Sequence, residues 1–269
     1  MDRDGQDRNK NQGVTKKITT KGIAYYSDLS CDLAILRAVQ VQLQRAAPGV
    51  PIVAVTLEPA AHGHDMSGYS WPDTSTVTCL TRDEARGVLT MFRQILQALE
   101  TLDTDVAFLC EHDVLYHPSH FAFTPPTDDL FYYNQNRWQV SAEDGRSVHY
   151  LASQTSGCCA SRMLLVEHYR KRIAYVEAHG FDRNLGYEPG TNRRSREIDP
   201  HGSATWLSAG PNVDIRHGRN LSRSKWSIAD FRDKRNAAGW TEADAVPEWG
   251  TTRGRFSAFL SEIPGYTVG

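Results

Sequence analysis

Asp105-Val-Ala-Phe-Leu-Cys-Glu-His-Asp-Val-Leu-Tyr116 is the stretch on which the fold turns. An apolar run, Val106 to Cys110, stops abruptly at Glu111, His112 and Asp113. A short run of this kind, preceded by a long helical pattern, reads as a buried strand of an α/β sheet. Its end would lift two carboxylates to the sheet's carboxyl edge, where open α/β folds bind ligands. Alternation along a strand predicts that Glu111 and Asp113 point one way and His112 the other. Two oxygen donors on one side suit a hard divalent cation, and Mg²⁺ or Mn²⁺ is commonly shared with substrate phosphates. A Glu-x-Asp triplet is equally an ordinary solvated strand end, so its surroundings decide.

Upstream, Gly22-Ile-Ala-Tyr-Tyr26 reads as a strand ended by Ser27-Asp28, and residues 32–47 carry a helical stripe (Leu33, Ile35, Leu36, Val39, Leu43) that Ser30 or Asp32 could cap. Pro48-Gly49 stops it and residues 50–57 form a second β-rich run. A β-α-β unit this short predicts a parallel pair with a helical crossover. Residues 59–73 read as a surface loop, although His62-Gly-His64-Asp65 has metal-ligand residue types. Thr81-Arg-Asp-Glu84 matches a capping box opening a helix with its stripe at Ala85, Val88, Leu89, Phe92, Ile95, Leu96 and Leu99.

Downstream, Leu130-Phe-Tyr-Tyr133 reads as a strand, and residues 134–140 and 148–152 as an antiparallel pair around Glu143-Asp-Gly145. Gly157-Cys-Cys-Ala160 leads into a helix over 162–178, ended at Gly180. Gly and Pro then punctuate short elements, including a strand at Val213-Asp-Ile-Arg-His217. The fold class is α/β: a single domain over residues 19–269 behind a flexible tail at 1–18. Its mixed sheet has a Rossmann-like N-terminal half (19–116) and a looser acceptor-side half (117–269).

Hydrophobic residues at 40% and charged residues at 23% describe an ordinary globular chain. No apolar run approaches the roughly 18 residues that span a bilayer, and the N-terminus lacks a signal peptide's apolar core. Five cysteines without Cys-x-x-Cys spacing read as free thiols in a reducing compartment, so a cytoplasmic protein is expected, in the host cell if the gene is viral. Net charge is −2, yet ten Lys/Arg stand against five acids between Arg193 and Arg235. That excess suits a polyanionic partner, a nucleotide diphosphate or a nucleic-acid backbone, or is simply a solvated basic face.

The order of these features resembles the GT-A class of nucleotide-sugar glycosyltransferases, over roughly residues 20 to 225. Glu111-His-Asp113 looks like a variant of that family's Asp-x-Asp motif. Gly180-Phe-Asp-Arg183 resembles its Gly-Phe-Asp-Glu, with Arg183 in place of the final acid. Tyr187-Glu188 falls where the family places its catalytic acid, and Val213-Asp-Ile-Arg-His217-Gly resembles the segment whose histidine completes the metal site. The resemblance implies Mn²⁺ or Mg²⁺ held by Asp113, His217 and Glu111, the last directly or through water. It implies Glu188, or else Asp182, as the base. It places a nucleoside-diphosphate sugar, a UDP-sugar first, against Tyr25, Ser27, Asp28, Arg86, His112, Arg216 and Arg219. Alternatives stand beside these roles: Tyr25 as a core residue, Asp28 as a helix cap, Arg86 as a solvated helical arginine, His112 as packing and His217 as an ordinary strand-end histidine. By the same resemblance the basic, Trp-bearing stretch just beyond His217, with Arg223, Lys225 and Trp226, is expected beside the acceptor. The chain is also similar to small, often virus-encoded GT-A enzymes that glycosylate hydroxymethylated pyrimidines in DNA, which implies 5-hydroxymethylcytosine as acceptor. Two rivals are a GT-A enzyme for a glycan or small-molecule acceptor, and a metal-dependent nuclease or nucleic-acid-binding module.

Overall fold

The computed structural model describes residues 19–58 and 70–266. It opens with β1 (Lys21–Ser27), α1 (Leu33–Ala46) and β2 (Ile52–Leu57), with β2 parallel to β1. β3 (Val77–Arg82) adds a parallel edge strand, and α2 (Val88–Thr101) returns the chain to β4 (Val106–Glu111), parallel to β1 on its other side. Then follow β5 (Val114–Leu115), α3 (Pro118–Ala122), β6 (Phe131–Asn134), β7 (Arg137–Ser141), β8 (Ser147–His149), β9 (Cys158–Ser161) and α4 (Arg162–His179). The chain ends through α5 (Arg193–Ile198), β10 (Ser203–Trp206), β11 (Asn212–Arg216), β12 (Thr241–Ala243), β13 (Ala245–Val246), β14 (Gly250–Thr251) and α6 (Phe256–Ser261). A seven-stranded mixed sheet runs β10-β6-β9-β4-β1-β2-β3, with a second sheet in the order β12-β8-β7-β11-β5. This is an α/β fold with a Rossmann-like parallel half.

Residue alternation sorts the central strands between two cores. Ile23, Tyr25, Phe108 and Cys110 pack toward α1 and the second sheet, with Leu36, Val140, Val213 and Ile215. Ala24, Tyr26, Ala107 and Leu109 pack on α2 and α4, with Phe92, Ile95, Leu165 and Tyr169. Burial on both faces is why β4 is a continuous apolar run. At the start of β1 a Cβ on Gly22 would lie 2.8 Å from both Leu102 and Thr104, so glycine permits this close approach.

Two features of this topology create the site. β1 to β2 to β3 moves one way across the sheet and β4 lies on the other side of β1, so the carboxyl ends of β1 and β4 flank a topological switch point, with Tyr26 paired to Glu111. After Glu111 the chain turns at residues 112–113 and leaves for the second sheet as β5, where β11 pairs antiparallel to it, Asp214 opposite Val114.

Several local expectations change. Thr81 and Arg82 belong to β3, and α2 begins at Val88 with Gly87 before it, so Thr81-x-x-Glu84 is not a capping box. Glu84 instead pairs with Arg82 and with Arg93 at 3.1 Å. Asp32 stands at the N-cap of α1 without a side-chain cap bond. The hairpin of β7 and β8 forms as expected, and Gly145 in its turn has φ +70°, where a Cβ would also strike the Thr252 carbonyl. All five cysteines are free, Cys79 exposed and the others buried. The tail at 1–18 and His62-Gly-His64-Asp65 lie outside the described residues. No described helix is long and apolar enough to cross a membrane.

Two buried histidines set an acid limit on stability. His168 on α4 lies 2.9 Å from Asp199, and burial drives it down to about 4 despite that carboxylate. His120 is driven down to about 3 by burial, its Nδ1 meeting the amides of Asn134 and Asn212. Because each is neutral when folded and free to protonate below about 6.5 when unfolded, stability is complete above that pH and lost as pH falls toward the folded values. Urea unfolding should show a drop of about 2 kcal/mol per histidine between pH 7 and pH 5. Asp199, held well below the usual carboxylate range by His168 and His201 against the effect of its burial, adds a further loss only below the ordinary Asp value.

Candidate functional site

A cleft of about 820 Å³, counted to its open mouth, lies at the switch point. Its walls come from the ends of β1 and β4, the start of α2, the loop at Tyr187-Glu188 and the segment from Asp214 to Ser222. The β1–α1 loop is bent by Leu29, a buried non-glycine residue at φ +54°. That left-handed turn is sparsely populated for leucine. It is held by the Leu29 N–H donating to Ser27 Oγ (2.9 Å) and the Ser30 N–H to Asp28 (3.0 Å). Gln94 of α2 donates to the carbonyls of Ser27 and Val55, tying that helix to the ends of β1 and β2. Gly87 and Thr90 bring the N-terminus of α2 onto the cleft, and a helix N-terminus in general favours an anion.

Asp28 pairs with Arg86, and its other oxygen is 3.7 Å from His112. Burial alone would raise this carboxyl, but His112, the Ser30 side chain and Arg86 together hold it at about 2. Arg86 sits in the loop before α2 rather than on the helix, and it also donates to the carbonyl of Arg219. Arg219 in turn donates to the Ser30 carbonyl at 3.2 Å. Three segments distant in sequence therefore meet along the cleft wall, with Arg86 paired to Asp28 and Arg219 tied to the loop that carries it.

Strand geometry ends at Glu111, so the expected alternation fails there. His112 and Asp113 form the turn into the second sheet, and all three side chains border the cleft. Asp113 is buried, accepts from Asn220 Nδ2 at 2.6 Å and lies 3.5 Å from His217 Nε2. Burial would raise Asp113, yet His217, His112 and Arg216 carry it below the ordinary range. Glu111, beside Tyr26, goes the opposite way, up to about 8, through burial and the nearby charges of Asp113 and Asp214. Asp214 is itself satisfied by Arg137 (2.8 Å), Gln154 (3.1 Å) and Arg216 (3.4 Å).

A hard divalent cation that keeps several waters needs one or two carboxylates plus substrate phosphates. Buried Asp113 paired with the half-buried His217, with Glu111 within electrostatic reach, fits that requirement. The three residues do not, however, form a closed ligand set. Among the described residues, the group of three His, Cys, Asp or Glu donors converging within 4.8 Å is Cys31, His112 and His217.

Glu188 also borders the cleft. Burial pushes its carboxyl up, opposed by the backbone N–H groups of Glu188 and Tyr187 and by the charge of Arg172. Arg172, fully buried on α4, donates to three consecutive carbonyls, Leu185 (2.9 Å), Gly186 (2.7 Å) and Tyr187 (2.9 Å). A further contact, to His168 Nε2 at 3.2 Å, fixes that ring's tautomer. An arginine can only donate, so Nε2 accepts and Nδ1–H is left for Asp199. Arg172 thus acts as the clamp that sets the Glu188 loop. Arg172→Met should lower the unfolding free energy by about 3 kcal/mol or more, since buried carbonyls lose their donors. Faster amide exchange confined to residues 185–190 would check the cause.

Other residues singled out from the sequence stand elsewhere. Tyr25 faces the core, edge-on to Trp71 at 5.1 Å, and Tyr26 borders the cleft in its place. One residue of strand register separates them. Asp182 is outside the cleft lining, capping the turn at Asn184. Lys225 donates to the Asp230 carbonyl, and Trp226 lies under the Arg146 guanidinium and packs on the Val148–Tyr150–Phe231 cluster. Arg223 is exposed. Asp214, Asn220, Arg172 and Cys31 were not legible as site residues, because each is brought there by long-range pairing or loop closure.

The chain matches no protein-family model and no curated protein. Among solved structures it is similar to 4-diphosphocytidyl-2C-methyl-D-erythritolsynthase from Anaerococcus prevotii DSM 20548, at 9% identity and TM-score 0.41 over 71% of this chain and 87% of that one. It is similar also to HddC from Yersinia pseudotuberculosis, at 11% identity and TM-score 0.43 over 73% and 93%. Likeness at this distance says nothing about chemistry.

Proposed function

We propose that this chain is a metal-dependent glycosyltransferase that moves a sugar from a nucleoside-diphosphate sugar, a UDP-sugar first, to a hydroxyl acceptor. The observation that carries the reading is a carboxylate with a raised pKa, Glu188, in the same cleft as the Asp113–His217 pair. A hydroxyl nucleophile needs a positioned base whose pKa sits above that of an ordinary carboxylate. Asp28, Ser27 and Tyr26 would receive the nucleoside, and Arg86, Arg219, Arg216 and the N-terminus of α2 the diphosphate. Asp113 and His217, with Glu111 behind them, would hold Mn²⁺ or Mg²⁺, which when bound supplies charge stabilisation for the departing diphosphate.

The acceptor we infer is the hydroxymethyl group of 5-hydroxymethylcytosine in DNA. Its support is narrower: the basic excess between Arg193 and Arg235 and an exposed Arg223. Lys225 and Trp226 enter this reading only if their local contacts open. The test is incubation with Mn²⁺, a panel of UDP-sugars and hydroxymethylated DNA, followed by mass analysis of nucleosides. A hexose adduct is expected. Sugar-nucleotide consumption without a DNA adduct would retire the DNA acceptor and leave a glycan or small-molecule acceptor. No consumption with any acceptor would retire glycosyl transfer.

A further inference from the structure

We infer that Cys31, His112 and His217 form a binding site for a thiophilic divalent cation, zinc above all, chemically distinct from the carboxylate site and sharing only His217 with it. The three side chains come from the loop after β1, the turn between β4 and β5 and the loop after β11, and their donor atoms lie within 4.8 Å of one another. His112 is 9% exposed, and neither of its ring nitrogens has a hydrogen-bond partner; His217 Nε2 has none either. The polar groups nearest to these rings, Asp28 at 3.7 Å from His112 Nε2 and Asp113 at 3.5 Å from His217 Nε2, stand at or beyond hydrogen-bond length and leave the nitrogens free to ligate. A metal ion satisfies them at once.

The donor types decide the metal. One thiolate and two imidazoles form a soft-to-borderline set that favours Zn²⁺ over Mg²⁺ or Mn²⁺, and zinc accepts three protein ligands with water in the fourth position. Zinc bond lengths of about 2.0–2.3 Å place ligand atoms about 3.3–3.8 Å apart. Closing the set from 4.8 Å therefore needs side-chain rotation of about an ångström. The proton of the Cys31 thiol leaves to solvent as the thiolate takes the ion. The site has a regulatory consequence. Zinc would draw His217 away from Asp113, so that it and the hard cation oppose one another. The inference does not depend on which group the enzyme transfers.

Zinc titration of the untagged full chain against a chromophoric chelator should show one equivalent bound at micromolar affinity or tighter. Cobalt in its place should give a thiolate-to-metal charge-transfer band in the near ultraviolet. Cys31→Ser should remove that band and weaken zinc at least about tenfold. Zinc-edge X-ray absorption of the wild-type protein keeps the test independent of any variant's folding: one sulfur and two imidazole nitrogens are expected in the first shell. A shell of nitrogen and oxygen only, absence of stoichiometric zinc, or undiminished zinc in a folded Cys31→Ser would each overturn the assignment.

Discussion

Glu188→Gln is expected to lower turnover by about 10²–10⁴-fold while leaving metal-dependent nucleotide binding in place. The substitution keeps the volume of the side chain and an oxygen for the Tyr187 N–H, which the carboxylate accepts at 3.2 Å. Under the proposed function, what it removes is the capacity to take a proton from the acceptor hydroxyl. The pH profile should carry the same signature. Burial holds the Glu188 carboxyl above the usual range, so the base is charged only at higher pH, and kcat/KM should fall as pH drops through that raised value. Arg172 opposes the rise, so Arg172→Met should move this limb to higher pH as well as loosen the loop. A single-turnover comparison with Asp182→Asn separates the two carboxylates. Asp182 caps Asn184 outside the cleft lining, and its replacement should leave the rate within a factor of a few. A Glu188→Gln enzyme that turns over like the wild type would remove Glu188 from catalysis.

The sequence carries what depends on short-range pattern. β4 is apolar because both of its faces are buried, and that alone places Glu111 at a sheet edge. The parallel β1–α1–β2 unit follows from period and loop length. β3 escapes because it is a polar edge strand with exposed positions, and its Thr-Arg end imitates a helix cap. β9 escapes because four residues, Cys-Cys-Ala-Ser, are too few to show a period. Register decides the fate of Tyr25: with alternation intact, one residue separates a core tyrosine from one at the cleft, and only the pairing of Tyr26 with Glu111 reveals which is which. The turn at His112–Asp113 is the subtler failure. Reading the triplet as continuing strand sends His112 away from the carboxylates. The chain instead leaves the sheet at Glu111, so His112 comes to within reach of His217 and Cys31. Cys31 itself gave no signal, since a lone cysteine in a loop has nothing in sequence to mark its partners.

Mn²⁺ plus UDP is expected to stabilise the wild-type protein by about 2.7 kcal/mol at a ligand concentration a hundredfold above the dissociation constant, and Asp113→Asn should abolish that gain. The wild-type carboxylate is buried yet stays charged, because His217, His112 and Arg216 outweigh its desolvation. An amide has nearly the same shape but no charge for a cation, and one of its arms turns from acceptor to donor opposite Asn220. The unloaded fold should persist, since the backbone carbonyl of residue 113 still accepts from the Ile215 N–H at 2.7 Å and holds the turn to β11. Thermal melts with UDP alone, Mn²⁺ alone and both together read the effect directly, and a retained joint shift would place the hard cation elsewhere. The same variant also separates the two cations. Asp113→Asn leaves Cys31, His112 and His217 untouched and should still bind zinc, whereas Cys31→Ser should weaken zinc at least about tenfold and keep the shift with Mn²⁺ and UDP. If both variants lost both responses, one shared ion would explain the cleft, and the division between a carboxylate end and a thiol end would fall.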